Sequence, residues 1–463
     1  MVCMKKVILQ DLMNRINLHK RFNWLFGVAW CLFPAMLCVI LVGCQMNQNT
    51  SGYPVSPELA APLSTVTQRL PSETADLSTM PVRYAPPVSW LYRGAAVTGY
   101  WNDSYQQPSV YQMVDRLKDN GVNTIQLLVS WFQEDVRSSN LLPEYDGQSP
   151  TDESVVKLVR YIHQQGMQVM LKPHAEPEIA WNGTEGAWRA LIEPVDREAW
   201  FADYEEFILH YGELAAAEEI ELYCIGSEMA SMTYSTTDQL YWKDLTEKVR
   251  AIYPGKIIYH ATWYELFGGD YEDVGPDGKI AFSAQFKPLP VSFWDNFDYA
   301  GIGVYFDLYS PHKIFVTDPG VDALYRGWFY NDVSDRADEQ ANLFEAIEDW
   351  HNSAQIPVIF VEIGYENKDF TGYSSYEYNP VEINGTVVQP QPNDMAQANA
   401  YQATFEAWGG VTWLLGGFWW QFNPDVTVDA NCGNEPAATD VVGYSPCGRP
   451  ALDILKNWYE KEQ

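Results

Sequence analysis

Eight short apolar runs recur along the chain, and their spacing constrains the fold more than any other feature. They lie at residues 94–100, 123–132, 168–174, 221–227, 256–263, 299–306, 357–364 and 414–422. Amphipathic stretches of helical length follow most of them, at 110–120, 154–165, 200–218, 237–253, 335–352, 396–408 and 452–459. Strands that alternate with helices form parallel sheets. Eight such strands predict an α/β fold, a single (β/α)8 TIM barrel, rather than an open doubly wound sheet.

Local signals refine this prediction. Thr151-Asp152-Glu153 is typical of a helix start, and Gly166 is typical of a helix end. The connection 264–298 is long and rich in Gly and Pro, so whether it contains a helix stays open. No second globular domain and no short internal repeat is visible.

Residues 1–44 predict a signal for export. Five basic side chains precede an apolar run from Trp24 to Gly43, which ends in Leu41-Val42-Gly43-Cys44. This ending resembles the lipobox of bacterial lipoproteins, in which the cysteine, here Cys44, is lipidated and becomes the mature N-terminus. A simple N-terminal membrane anchor is the alternative, because the run is roughly long enough to span a bilayer despite Pro34. Either way we expect an exported, membrane-anchored protein, on the outer membrane or cell surface if the host is Gram-negative.

The rest of the chain divides into a linker and a catalytic domain. Residues 45–88 are rich in Ser, Thr, Pro, Asn and Gln and predict a flexible tether, which leaves 89–463 for the domain. Cys432 and Cys447 lie in a loop rich in Gly, Pro and Asn, and we expect a disulfide between them in an oxidising compartment. Cys224 lies in an apolar strand and is expected to be a packing residue. We expect a monomer.

Charge and missing motifs exclude several classes of partner. The chain carries 61 acidic and 29 basic side chains, a formal net charge of -32. Such a surface argues against binding nucleic acid, or anionic lipid other than through the N-terminal anchor. The sequence contains no His-Glu-x-x-His, no Cys-x-x-Cys, no Gly-x-Ser-x-Gly and no Gly-x-x-x-x-Gly-Lys-Ser/Thr. We therefore expect neither a metal nor a cofactor.

Two glutamates end apolar strands and are the candidate catalytic residues. Glu228 closes Leu222-Tyr223-Cys224-Ile225-Gly226-Ser227-Glu228, and Glu362 closes Val358-Ile359-Phe360-Val361-Glu362. A carboxylate at the end of a buried strand is unfavourable unless it has a function. In a barrel of this kind the active site gathers at the carboxyl ends of the strands. Two carboxyls there suggest the pair that cleaves glycosidic bonds.

Aromatic and polar side chains at the other predicted strand ends fit a sugar substrate, because aromatic rings stack on the apolar faces of pyranoses. The candidates for substrate binding are Trp101, Trp131, His174, Trp263, Tyr305 and Trp420. For Trp101 and Trp131, rim packing is an equal alternative, and His174 could equally be structural. Neighbours on a strand point opposite ways, so Trp419 is expected outside the barrel wall if Trp420 faces in. Three further acids, Glu176, Glu265 and Glu366, are predicted to be ordinary loop charges.

Several segments together resemble one enzyme family. They are Trp188-Arg189, Ile225-Gly226-Ser227-Glu228, Ala261-Thr262-Trp263, the run from Asp298 to Phe306, Val361-Glu362-Ile363-Gly364-Tyr365, Gln397-Ala398-Asn399-Ala400-Tyr401 and Gly417-Phe418-Trp419-Trp420. Spread from about residue 93 to 425, they resemble clan A glycoside hydrolases, and most closely glycoside hydrolase family 113, whose known members are endo-β-1,4-mannanases.

The resemblance implies roles for individual residues. Glu228 becomes the general acid/base and Glu362 the nucleophile of a retaining enzyme, with Tyr305 hydrogen-bonded to Glu362. Trp420 would form the floor of the subsite at the cleaved bond. Many clan members have Asn before the acid/base, where it binds the sugar 2-hydroxyl, but this chain has Ser227.

The function expected from this resemblance is endo-cleavage of β-1,4-linked mannan-type polysaccharide. Two alternatives stay open. One is the same chemistry on another β-glycan, such as glucan or xylan. The other is a surface lipoprotein that binds glycan without turnover, although a decayed site usually loses one of the two carboxyls.

Overall fold

The computed structural model describes residues 82–180, 183, 187–274, 279–312, 315–330, 342–373, 375, 381–424, 432 and 442–460. The predicted signal and nearly all of the predicted tether, including Cys44, lie outside these residues. Residues 83–88, which the sequence assigns to the tether, bind the body of the protein. The Tyr84 N–H donates to the Glu406 carbonyl, and the Val88 N–H to the Trp458 carbonyl, both at 2.9 Å. The chain from Arg83 onward therefore belongs to the same unit as the barrel.

Eight parallel strands close into a barrel, as the sequence predicts. They are β1 (Tyr92–Val97), β2 (Thr124–Asp135), β3 (Gln168–Ile179), β4 (Leu222–Ser227), β5 (Lys256–Ala261), β8 (Tyr299–Val304), β9 (Val358–Ile363) and β12 (Leu414–Phe422). Around the barrel the order is β1-β12-β9-β8-β5-β4-β3-β2, so β12 lies diametrically across from β4. Each strand overlaps one of the eight predicted runs, and the predicted (β/α)8 barrel is confirmed.

Helices surround the barrel, and seven of the ten described helices overlap a stretch that the sequence predicts to be helical. They are α1 (Pro108–Asp119), α2 (Asp152–Gln164), α3 (Arg197–Ala217), α4 (Thr236–Ile252), α5 (Trp263–Phe267), α6 (Val291–Trp294), α7 (Val321–Gly327), α8 (Leu343–Ala354), α9 (Asp394–Trp408) and α10 (Pro450–Tyr459). Side-chain caps define their starts: Thr151, Asp196 and Ser235 each accept a hydrogen bond from the backbone three residues on. Gly166 lies just after α2 at φ +72°, which confirms the predicted helix end.

The connection after β5 holds a β-hairpin that the sequence did not predict. Between α5 and α6, β6 (Gly269–Val274) pairs antiparallel with β7 (Ile280–Phe286). Along β7, Phe282, Ala284 and Phe286 are at least half-buried, whereas Ser283 and Gln285 are exposed. The hairpin therefore has one apolar face, and that face packs on the β3–α3 connection. A smaller hairpin, β10 (Val381–Ile383) with β11 (Thr386–Val388), lies between β9 and α9.

The interior of the barrel is an apolar core. Its buried residues are Tyr92, Met170, Leu222, Cys224, Ile258, Ile359, Val361 and Phe418. Cys224 is fully buried in this cluster and is a packing residue, as predicted. Among the described residues, no helix has both the length and the apolar character needed to cross a membrane.

Candidate active site

The two candidate glutamates lie at the same end of the barrel. Glu362 belongs to β9, and Glu228 directly follows β4. Glu228 adopts φ +55°, a left-handed conformation that is uncommon for a side chain of this kind and that often marks functional sites. Its N–H donates to the His260 carbonyl on β5 at 2.8 Å. The Glu228 side chain is 15% exposed and the Glu362 side chain 7% exposed, so solvent or a ligand reaches both.

Glu362 is held by a buried cation. The Lys172 ammonium on β3, which is fully buried, forms an ion pair with Oε1 of Glu362. The Tyr305 hydroxyl donates to Oε2 at 3.2 Å, the contact that the resemblance implies. Burial alone would raise the pKa of Glu362, but the charge of Lys172 opposes it and the pKa is lowered below its ordinary value. Glu362 is therefore held as a carboxylate.

The surroundings of Glu228 raise its pKa, in contrast to those of Glu362. The Trp188 Nε1–H donates to its Oε2 at 3.1 Å, and the Arg189 Nη1–H donates to the same oxygen at 2.6 Å. Burial and the negative charge of Glu362 nevertheless raise the pKa of Glu228, against the effect of Arg189. Since Oε2 already accepts two N–H groups, a proton on this carboxyl belongs on Oε1.

Arg189 lies between Glu228 and a third acid, Glu176, and forms an ion pair with each. Its Nη2 lies 2.5 Å from Oε1 of Glu176 and 2.9 Å from Nδ1 of His174. Burial opposes ionisation of Glu176, but the Arg189 charge and the hydrogen bonds from His174 and Arg189 together lower its pKa to about 2. Burial and Arg189 lower the pKa of His174 to about 4, which leaves the ring neutral at neutral pH. The prediction that Glu176 is an ordinary loop charge is wrong: it lies on β3 and is paired.

The alternation of β3 places this polar network on one face. Lys172, His174 and Glu176 are two residues apart, so all three point to the same side of the strand. The sequence predicts His174 as a site residue, but not Lys172 or the role of Arg189. A lysine in an apolar strand, followed by polar residues at period two, is the signal that could have found the network.

Ser227 takes the position where many clan members carry Asn. Its Oγ lies 3.0 Å from Nδ1 of His260 and 3.3 Å from Nε2 of His174. Both histidines are buried. Burial and Lys172 lower the pKa of His260 well below its ordinary value, so this ring is neutral too. The hydroxyl is thus held between two neutral rings at the base of the site.

On the far side of the mouth, Trp420 faces inward. It clusters with Ala96, Leu128 and Tyr444, with Tyr305 packed against the group. Trp419 points outward and stacks on Tyr401 with ring centroids 3.8 Å apart, as predicted. Tyr444, which was not predicted from the sequence, comes from the chain just before Cys447. Cys447 forms a disulfide with Cys432.

Trp131 does not line the site, and its prediction as a sugar platform is wrong. Its indole stacks on Phe207 of α3 at 4.9 Å and is only 6% exposed. The cause is strand parity: on β2, Gln126 and Leu128 face into the barrel, so Trp131 faces the outer helices.

The other candidate tryptophans are partly exposed at strand ends. Trp263 begins α5 and packs edge-on against Phe306, which follows Tyr305, at 5.1 Å. Trp101 lies half-buried in the turn after β1, where its backbone N–H donates to Ser104 Oγ at 3.1 Å.

Two further acids are buried rather than ordinary loop charges. Glu265 is the third residue of a capping box at the start of α5 and accepts a hydrogen bond from the Thr233 hydroxyl. Glu366 forms a buried ion pair with Lys368 at 2.6 Å. Within the described parts of the chain, no group of three His, Cys, Asp or Glu side chains could hold a metal ion.

Comparisons with known proteins identify the family and agree with the fold. The model of glycoside hydrolase family 113 matches residues 89–437. The fold is similar to the β-mannanase of this family from Alicyclobacillus acidocaldarius solved with ManMIm, with a TM-score of 0.58 at 18% identity, over 79% of this chain and 96% of that one. Another family 113 β-1,4-mannanase gives a TM-score of 0.57 at 19% identity, over 80% and 99% of the two chains. The comparison with curated proteins found no match.

Replacing Lys172 with methionine is expected to raise the pKa of Glu362, because the carboxyl stays buried while its nearest cation is removed. In the wild type this pKa lies below the ordinary 4.5, so ionised Glu362 stabilises the fold above that pH, and this is lost as the pH falls. In the variant the pKa should exceed 4.5. The difference in free energy of unfolding between the two proteins should therefore widen as the pH rises from about 4 to 7, as denaturant titrations can measure.

The matched control is Lys157→Met, which breaks the exposed pair of Lys157 with Glu153 on α2. This variant should show no measurable pH-dependent difference, because water screens exposed pairs. A Lys172→Met difference that stays constant with pH would refute the tuning role of Lys172.

Proposed function

The chain belongs to glycoside hydrolase family 113, and from this premise we propose that it is an endo-β-1,4-mannanase that works with retention of configuration. Glu362 is the nucleophile, and Glu228 is the general acid/base. The observation that carries the proposal is the opposite bias of the two carboxyls in one mouth. The pKa of Glu362 is lowered and the pKa of Glu228 is raised, so the first is an anion while the second keeps its proton.

The first step divides the work between them. The Glu362 carboxylate attacks the anomeric carbon as the bond from that carbon to the glycosidic oxygen breaks. Glu228 transfers its proton to the departing oxygen, and the leaving sugar chain gains a hydroxyl. The product of this step is a glycosyl ester on Glu362, with Glu228 left as a carboxylate.

The second step uses the change of charge made by the first. Once Glu362 is esterified, it no longer carries the charge that raises the pKa of Glu228. Arg189, at 2.6 Å, then favours the Glu228 carboxylate, which takes a proton from water. The resulting hydroxide attacks the anomeric carbon, the ester bond breaks, and the Glu362 carboxylate is restored.

The proposal of mannan as the substrate rests on the family and on the similar structures, which are β-mannanases of that family. We propose that Trp420 forms the aromatic floor of the subsite at the cleaved bond, supported by its inward-facing position on β12. The hydroxyl of Ser227, which lies between His174 and His260, is proposed to act in the same subsite.

The decisive measurement is release of reducing sugar by residues 83–463 on mannan, glucomannan, glucan and xylan. We expect cleavage of mannan, and a loss of about 10³-fold or more in Glu362→Gln, with glycan binding retained. The control is Glu247→Gln, an exposed acid on α4, which should leave the rate unchanged. Cleavage of another glycan alone would remove the mannan assignment. Binding without turnover in the wild type would favour the surface-binding alternative.

Retention of the anomeric configuration can be measured separately. During hydrolysis followed by proton NMR, the β-anomer of the new reducing end should appear first and the α-anomer later, by mutarotation. Two displacements at one carbon restore its configuration, whereas a single attack by water inverts it. The α-anomer appearing first would refute the covalent intermediate on Glu362.

We also propose that the enzyme is exported and tethered through Cys44, with the chain up to the barrel acting as a spacer. The support is the lipobox-like ending Leu41-Val42-Gly43-Cys44 after the apolar run. In a Gram-negative host, Cys44→Ser should abolish metabolic labelling with a radioactive fatty acid. Labelling that persists in the variant would refute lipidation at Cys44.

A further inference from the structure

A second aromatic surface adjoins Glu228, on the side of the mouth opposite Trp420. Trp188 lies in the β3–α3 connection and is half-buried, and its Nε1–H donates to Glu228 Oε2 at 3.1 Å. Tyr271 of the β6–β7 hairpin packs against the Trp188 indole, with ring centroids 5.9 Å apart at 60°. Phe282, across the same hairpin, belongs to the same apolar clusters. We call Trp188, Tyr271 and Phe282 the aromatic wall.

The hairpin holds Trp188 in place from behind. One apolar cluster joins Trp188, Tyr271 and Phe282 to Val136, Ala187 and Leu191. A second joins the same three rings to Ala190, Ala230 and Phe286. The indole is thus fixed by packing on the hairpin side and by its hydrogen bond on the Glu228 side. A ring with both restraints needs little further ordering when a ligand stacks on it.

The position of the wall in the barrel decides which sugar it meets. Trp188 follows β3 and the hairpin follows β5, so the wall adjoins β4 and Glu228. Trp420 lies on β12, diametrically across from β4. The proton of Glu228 goes to the oxygen that departs with the leaving sugar. Groups on the Glu228 side therefore face the leaving sugar, and groups around Glu362, Tyr305 and Trp420 face the sugar that is retained.

We propose that the aromatic wall is the binding platform for the sugar on the leaving-group side of the cleaved bond, with the Trp188 indole as its stacking surface. This inference rests on the proposed function of Glu228 and Glu362. The ligand class is a neutral β-linked pyranose, whose apolar face suits an aromatic ring. Platforms on both sides of the bond would grip the interior of a chain, as endo-cleavage requires.

The test compares two substrates with the same retained sugars and different leaving groups. A mannopentaose places sugars against the wall, whereas β-mannobiosyl fluoride has a leaving group too small to reach it and needs no proton from Glu228. In Trp188→Ala, kcat/KM for mannopentaose should fall about tenfold or more, since a buried aromatic anchor is lost. For the fluoride, kcat/KM should change less than about threefold. This ratio reports only the steps up to formation of the glycosyl ester, and in those steps the fluoride does not contact the aromatic wall.

Three more variants separate stacking from other roles. Trp188→Phe keeps a ring but loses the N–H to Glu228, so it should retain more activity on mannopentaose than Trp188→Ala. Tyr271→Ala should show the same preference for the fluoride in weaker form. Trp420→Ala is the matched control on the opposite side, and it should lose activity on both substrates.

Each outcome bears on a different claim. Equal losses on the two substrates in Trp188→Ala would overturn the platform and leave the proposed function intact. Trp188→Phe as impaired as Trp188→Ala on mannopentaose would mean that the N–H matters and stacking does not, which also overturns the platform. A wild type inactive on both substrates would refute the proposed function itself.

Discussion

The buried ion pair between Lys172 and Glu362 is the interaction on which the site depends. An ammonium with no exposed surface is strongly unfavourable unless an anion neutralises it. Glu362 is its partner on β9, across the interior of the barrel from β3. The pair fixes Glu362 as an anion, and that anion is one of the two causes that raise the pKa of Glu228. Lys172 thus acts on Glu228 through the Glu362 anion, which raises the pKa of Glu228 although the charge of Lys172 itself lowers it.

A second cation, Arg189, also affects the protonation of Glu228. Arg189 stands between Glu228 and Glu176, so its charge is shared by two acids and does not hold Glu228 ionised by itself. Without Glu176, the full charge of Arg189 would act on Glu228 and lower its pKa further. Glu176 is therefore a counterion that leaves Glu228 free to be protonated. The geometry follows from β3, where period two puts Lys172 and Glu176 on the same face, four residues apart.

The sequence predicts those parts of the molecule that local patterns determine. Hydrophobic periodicity found all eight barrel strands, and strand-end position found Glu228 and Glu362. The pairing of Arg189 with Glu228 could not be predicted from the sequence, because that contact joins elements far apart along the chain. The burial of Glu265 and Glu366 was equally hidden, since loop packing decides it. Trp131 was predicted wrongly because side chains on a strand alternate between its two faces. Gln126 and Leu128 face into the barrel, so Trp131 faces outward.

The barrel alone does not build a cleft for a polysaccharide. Its strand ends supply charged and polar groups, and Trp420 on β12 supplies one aromatic surface. The remaining aromatic surfaces come from segments outside the barrel: Tyr444 from the chain leading to the Cys432–Cys447 disulfide, and Trp188 with its hairpin support. Chemistry is thus fixed by strands that cannot move without opening the barrel, whereas the sugars that fit are decided by connections that vary more easily. If Trp188 binds the leaving sugar as proposed, a change of sequence in the hairpin after β5 would alter the choice of that sugar without disturbing Lys172 and Glu362.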